Sequence, residues 1–216
     1  MILVLDNEIR PEYRYLGPEI VHHLPDPAYH VLVEDPDYPP LERFDGVVLS
    51  GSTDSVHDDD HGEWFDAALG VVDGCLADRI PLLGICHGHQ LINHALGGVV
   101  ERGRRRATFV EMTDYRDSGV LEGVNPVVPV LHSDLVTELG EGMASVARTG
   151  YDPNFCSVHR EAPVWTVQFH PEFTERVADR ASDWNPGDHG FEEVNASRVL
   201  DTFAARCVSE PEPTNR

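Results

Sequence analysis

The chain contains no lysine. All 16 of its basic residues are arginine, against 38 aspartates and glutamates, so the formal net charge at pH 7 is −22 over 216 residues. A charge of that size and sign repels phosphate backbones and anionic headgroups, which argues against nucleic acid and membranes as partners. It also means that no lysine-bearing ATP loop can exist in this sequence. Long apolar runs are missing as well: none approaches the roughly 20 residues of a membrane span. The N-terminal ILVLD reads directly as a strand, with no leader pattern. Cysteine is scarce, with Cys75, Cys86, Cys156 and Cys207 at unrelated spacings. That gives no disulfide framework and fits a reducing, cytoplasmic compartment. No internal repeat and no domain boundary is visible.

What is present is enough for one full core. Residues 1–208 read as a single domain, and the polar 209–216 as a disordered tail. The acid-rich, lysine-free composition resembles that of proteins from salt-accumulating cells, where abundant cations screen self-repulsion. Along the chain, strand-like runs at residues 2–5, 29–33 and 46–49 alternate with helical stretches at 12–24 and 64–76. This alternation predicts an α/β fold, an open, mostly parallel sheet flanked by helices. Turn-rich β pieces at 108–112 and 127–131 predict a small antiparallel excursion. Strands at 145–148, 155–158 and 164–169 follow, then a polar loop at 182–190. A last helix over 191–207 would bury Val194, Val199, Leu200 and Phe203. In such sheets ligands bind at the carboxyl ends of the strands.

The most informative stretch is PLLGICHGHQLINHALGG, which begins at Pro81. Leu82, Leu83 and Ile85 form a buried strand, and Leu91, Ile92, Ala95 and Leu96 share one face of a helix ended by Gly97. Cys86 sits between the two elements, flanked by Gly84 and Gly88. This is nucleophile-elbow spacing with sulfur in place of hydroxyl, at a helix N-terminus that favours thiolate. A lone cysteine is more often a buried, inert one; the paired glycines reverse that reading. Far downstream, WTVQFHPEF ends a strand with His170, Pro171 and Glu172. A thiolate nucleophile needs a base, and the base an orienting carboxylate, and the restricted backbone at Pro171 is expected to point His170 and Glu172 the same way.

GICHGHQ together with QFHPEF resembles the class I (triad) glutamine amidotransferases, a family that includes the glutamine-hydrolysing parts of GMP synthetase and carbamoyl phosphate synthetase, with the related γ-glutamyl peptidases. The likeness runs from Met1 to the His-Pro-Glu region and implies a flavodoxin-like version of the predicted sheet. It also implies that Cys86, His170 and Glu172 cleave the side-chain amide of glutamine through a γ-glutamyl thioester, without a cofactor. The family's oxyanion strand, usually LSGGP, corresponds to residues 49–53, with Ser52 and Thr53 in place of glycine and proline. One oxyanion donor would be the main-chain N–H of Gly51 or Ser52, and the other that of His87. Gln90 would contact the substrate's amide-bearing side chain. LHSDLVTELGEG resembles the family's HGDxVxxLPEG and makes His132, Ser133 and Asp134 the residues that hold the substrate's α-amino and α-carboxylate ends. The family's glycine-rich Asp-x-Gly turn after the first strand is replaced by Asp6, Asn7 and Glu8.

Other readings are weaker. SGSTDS approximates the phosphate loop of ATP pyrophosphatases but lacks the second glycine and a following domain. HDDDHGE from His57, and His87 and His89 with His94, lack metal-site spacing, so no metal is expected. Arg104, Arg105 and Arg106 read as an exposed loop balancing acids, or as a docking or substrate-access element beside the cleft. Three functions follow: a glutaminase, alone or supplying ammonia to a separate GMP-synthetase-like subunit; a γ-glutamyl peptide hydrolase; or a catalytically silent regulatory subunit.

Overall fold

The computed structural model describes residues 1–58, 61–116 and 119–208. The tail expected at 209–216 and part of the acidic run after His57 lie outside the described residues. A seven-stranded sheet runs in the order β2-β1-β3-β4-β9-β8-β7. Its strands are β1 (Ile2–Asp6), β2 (Pro27–Val31), β3 (Gly46–Leu49), β4 (Leu82–Ile85), β7 (Met143–Ala147), β8 (Cys156–His159) and β9 (Val164–Val167). The five strands from β2 to β9 are mutually parallel, and β8 and β7 add antiparallel pairs at one edge. This is the expected open, mostly parallel α/β sheet.

Period-two alternation sorts the central strands between two cores. Ile2, Val4, Val48, Leu83 and Ile85 face one side, where α1 (Leu16–His23) supplies Ile20 and α4 (Arg198–Val208) supplies Val199, Leu200 and Phe203. Leu3, Leu5, Val47, Leu49 and Leu82 face the other. There α2 (Glu63–Ala77) contributes Trp64, Ala68, Val71, Val72 and Cys75, and α3 (His87–Ala95) contributes Leu91 and Ile92. With both faces covered, every residue of β1, β3 and β4 is buried, as helix-flanked parallel sheets require. Among the described residues no helix is long and apolar enough to cross a membrane. All four cysteines are free.

Several boundaries differ from the sequence reading. The helix expected at 12–24 splits into a short 3-10 turn at Pro11–Tyr13 and α1, because Pro18 fits only the first turn of a helix and its ring would strike the carbonyl four residues upstream in a longer one. The strand expected at 29–33 is Pro27–Val31, ended where its register with β1 runs out at Asp6. The helix expected at 191–207 starts only at Arg198. Val194 is extended before it, and the Asn195 side chain is spent on the 123–125 loop, accepting from the Asn125 N–H at 2.6 Å and donating to the Gly123 carbonyl at 2.9 Å. The loop at 182–190 is not merely polar, since Trp184 packs among Phe109, Phe173 and Phe191.

The antiparallel excursion is far longer than its apolar pieces suggested. Strands β5 (Val99–Glu111) and β6 (Val127–Glu138) form a separate two-stranded sheet. Its register breaks between Arg102 and Arg106, opposite Asp134 and His132. Arg104 and Arg105 therefore bulge from a strand rather than from a loop. The exposed arginines hide the alternation that would have marked β5 in the sequence.

Candidate active site

Four parallel strands end at one cleft: β1 at Asp6, β3 at Ser50, β4 at Cys86 and β9 just before His170. Cys86 is 3% exposed and has φ 52° and ψ −103°, a backbone state a non-glycine residue holds only when its surroundings enforce it, at an order of 1–3 kcal/mol. Its N–H donates to the Val167 carbonyl at 2.8 Å, and its carbonyl accepts from the Gln90 N–H at 3.1 Å. The flanking glycines are needed for contact. A Cβ on Gly84 would lie 2.6 Å from the Gly88 carbonyl oxygen, and one on Gly88 would lie 2.4 Å from that of Leu49. α3 thus packs directly on β3 and β4, lifting Cys86 at its N-terminus.

His170 is buried beside it. Its N–H donates to the Pro129 carbonyl of β6 at 3.0 Å, and its Nδ1 lies 2.7 Å from Glu172 Oε1. The imidazole's remaining side-chain contact is with Cys86, and Glu172 Oε2 has no hydrogen-bond partner among the described residues. A Cβ built on Gly51 would come within 2.9 Å of His170 Cε1 and 3.6 Å of Cys86 Cβ, so the imidazole and the cysteine press on the same glycine. Burial pulls the imidazole toward neutrality, but the negative charges of Cys86 and Glu172 outweigh it and raise its pKa to about 10. The imidazole lies between a sulfur and a carboxylate that both favour its protonated form.

The backbone N–H groups of Gly51 and Ser52 meet no protein acceptor among the described residues. That of His87 opens α3, where no carbonyl within the helix can reach it. The His87 ring is fully buried beside Trp64, neither of its nitrogens is paired among the described residues, and burial pushes its pKa down to about 3.

The residues expected to hold the substrate line the same cavity, of about 680 Å³. Gln90 donates through Nε2 to the Asp134 carbonyl at 3.0 Å and to Gln168 Oε1 at 3.1 Å, which leaves its own carbonyl for a ligand. His132 is held in one tautomer: Nδ1–H donates to the Asp134 carbonyl at 3.1 Å, and the Tyr151 hydroxyl donates to Nε2 at 3.0 Å. Burial lowers its pKa to about 4. Ser133 lies between His132 and Asp134 on the cavity wall. The Asp134 carboxylate is already engaged, accepting from the Ser55 hydroxyl at 2.5 Å with Arg102 Nε at 3.5 Å. A substrate ammonium there would share it.

Of the opposite wall, sequence reasoning gave a role only to Arg105, as part of the arginine cluster read as balancing acids or as an access element beside the cleft. Glu8, Arg10, Tyr13 and Tyr15 line the cavity, and so do Arg102 and Arg105 from the bulge, the latter paired with Asp183 at 2.8 Å. The substituted turn at residues 6–8 and the arginine cluster at 104–106 were their visible signals. Among the described residues no group of three or more His, Cys, Asp or Glu side chains is arranged to hold a metal.

Comparison with known proteins bears on this site. Residues 17–182 match the family described as Glutamine amidotransferase class-I. The GMP synthase [glutamine-hydrolyzing] of Wolinella succinogenes is 31% identical over 175 residues, covering 71% of this chain and 32% of that protein. That of Porphyromonas gingivalis is 36% identical over 150 residues, covering 67% and 27%. The chain therefore spans only about a third of the length of the curated relatives it matches. A glutamine amidotransferase from Thermotoga maritima superposes with a TM-score of 0.75 at 18% identity, covering 97% of this chain and 99% of that one, a likeness of fold. With a family match over most of its length, on a sheet that ends in a cysteine elbow and a His-Pro-Glu corner, the chain belongs to the class I glutamine amidotransferases.

Proposed function

We propose that the chain hydrolyses the side-chain amide of glutamine to glutamate and ammonia, through a thioester on Cys86. The observation that carries this reading is the meeting of an elbow cysteine with a buried imidazole that a carboxylate orients at 2.7 Å, beneath unpartnered main-chain N–H groups. The Cys86 thiolate attacks the amide carbon, forming a C–S bond and moving an electron pair onto oxygen. The N–H groups of Gly51 or Ser52, and of His87, receive that oxyanion; such donors are worth about 3 kcal/mol each. His170, protonated because its pKa is raised to about 10, gives the Nε2 proton to the departing nitrogen, and ammonia leaves. Water then attacks the thioester, His170 takes its proton, and the thiolate is expelled with glutamate. Glu172 holds Nδ1–H throughout. Gln90, His132, Ser133 and Asp134 hold the amino-acid end. The ammonia passes to an acceptor of GMP-synthetase type, as the names of the relatives suggest.

Replacement of Cys86 by alanine abolishes ammonia release on this reading while glutamine still binds. Retained hydrolysis refutes it. One observation favours a second substrate class: the cavity, at about 680 Å³, falls within the range of about 300–1,000 Å³ typical of drug-sized ligands, more than a free amino acid fills. A γ-glutamyl amine or peptide places its larger leaving group in that space. Comparison of kcat/KM for glutamine and for γ-glutamyl dipeptides separates the two.

A further inference from the structure

Two departures from the family pattern, Glu8 in the turn after β1 and Thr53 where the oxyanion strand usually has proline, meet in the structure. Glu8 Oε2 accepts the Thr53 N–H at 2.8 Å, and Oε1 accepts the Thr53 hydroxyl at 2.5 Å. Oε1 also accepts the Arg10 N–H at 2.8 Å. A proline at position 53 has no N–H to give, so the main-chain bond exists only because a residue other than proline stands there. The neighbouring residue ties the other end of the same segment: the Asn7 N–H donates to Ser50 Oγ at 2.9 Å, and Asn7 Nδ2 donates to the Ser50 carbonyl at 3.4 Å. Between these two anchors lie Gly51 and Ser52, whose N–H groups are unspent.

We infer that Glu8 is a positioning residue for the oxyanion site, its carboxylate fixing the far end of residues 50–53 so that the Gly51 and Ser52 N–H groups keep their aim. The inference rests on the glutaminase reading. Glu8 never touches the reacting atoms; it acts through the main chain. Both of its oxygens face donors, which suits an ionised carboxylate. A glutamine at position 8 satisfies Thr53 only by turning its NH2 toward a hydroxyl or an amide N–H. The group is largely withdrawn from water, and that withdrawal outweighs its hydrogen bonds and raises its pKa. Protonation on acidification therefore sets in above the ordinary carboxylate range and loosens the segment.

The test compares Glu8→Gln, Glu8→Ala and the double variant Glu8→Ala/Thr53→Pro with the parent chain. It measures kcat and KM for glutamine and the rate of Cys86 alkylation by iodoacetamide. Alkylation forms no oxyanion, so it reports the thiolate and imidazole without the strand. The expected result is a kcat about ten- to a hundredfold lower in both single variants, the scale of a modest misplacement of catalytic groups. KM and alkylation stay within about twofold, and the double variant recovers part of the loss, since proline removes the unpaired N–H and presets φ. An unchanged kcat in an active parent background overturns the inference alone. So does a parallel loss of kcat and alkylation, which marks general damage. A parent chain without glutaminase activity overturns both the inference and the function it rests on. If Glu8→Ala does not fold, Glu8→Gln decides: it keeps the side chain's size and turns one acceptor into a donor, and a lowered kcat at unchanged alkylation supports the role, whereas an unchanged kcat overturns it.

Discussion

Substitution of alanine for Gly51 tests the geometry of the site at its tightest point. The new Cβ falls 2.9 Å from His170 Cε1, whereas carbon atoms rest about 3.5–4.0 Å apart. The imidazole must yield by roughly 0.6 Å or more to restore contact distance. It cannot swing away freely, because Nδ1 is held by Glu172 at 2.7 Å and the side chain is 3% exposed. The strand cannot retreat either, anchored as it is by Ser50 and Thr53. A displacement of that order between attacking sulfur and proton carrier costs up to about a hundredfold in turnover. Stability falls as well, by about 1–3 kcal/mol, since neither neighbour yields freely. The assay is ammonia release under saturating glutamine, with thermal unfolding and iodoacetamide alkylation alongside. Both kcat and alkylation fall, in contrast to the Glu8 variants. A Gly51→Ala protein with parental kcat shows that the imidazole does not press on this glycine and that the proposed geometry is wrong.

Gly88→Ala strikes backbone instead of a side chain. Its Cβ meets the Leu49 carbonyl oxygen at 2.4 Å, which is backbone and cannot turn aside, so overpacking costs about 1–3 kcal/mol in denaturant unfolding; an unchanged midpoint contradicts it. The raised pKa of His170, about 10 against an ordinary 6.5, gives a stabilisation fully present below pH 6.5 and lost as pH rises toward 10. Because the Cys86 charge is a principal support of that shift, the unfolding profile of Cys86→Ala between those two pH values is flatter than the parent's; superimposable profiles refute the pairing. With a net charge of −22, the melting temperature rises with KCl as cations screen the acidic surface, and indifference to salt removes the case for a salt-adapted protein.

The sheet and the elbow were legible because both write themselves in short-range pattern. Alternation in β1, β3 and β4 sorts residues between two cores, and glycines at 84 and 88 mark a contact that only missing side chains permit. The His-Pro-Glu corner was legible because its two functional side chains are two residues apart. What escaped depends on partners distant in sequence. Glu8 meets Thr53 across 45 positions, and His132 meets the Tyr151 hydroxyl, 19 residues on. Neither pairing leaves a local trace. The length of β5 escaped for another reason: strand pairing on a solvent-facing ribbon needs no apolar alternation, and arginine tolerates the exposed positions. The late start of α4 reflects Asn195, whose side chain serves a loop some 70 residues away rather than its own helix.

The separate two-stranded sheet has one more implication. Residues 132–134 ride on that ribbon, while the sulfur stands on the main sheet, and the two bodies are fastened by the His170 N–H to the Pro129 carbonyl and by Gln90 to the Asp134 carbonyl. On the proposed reading, an amino acid gripped by one and attacked by the other is in effect measured between caliper jaws. On the proposed glutaminase reading, asparagine, a methylene shorter, falls short of the thiol when its α-groups are seated, and the gauge that rejects it is set by the His170 main-chain bond and the Gln90 side-chain bond that fasten the ribbon.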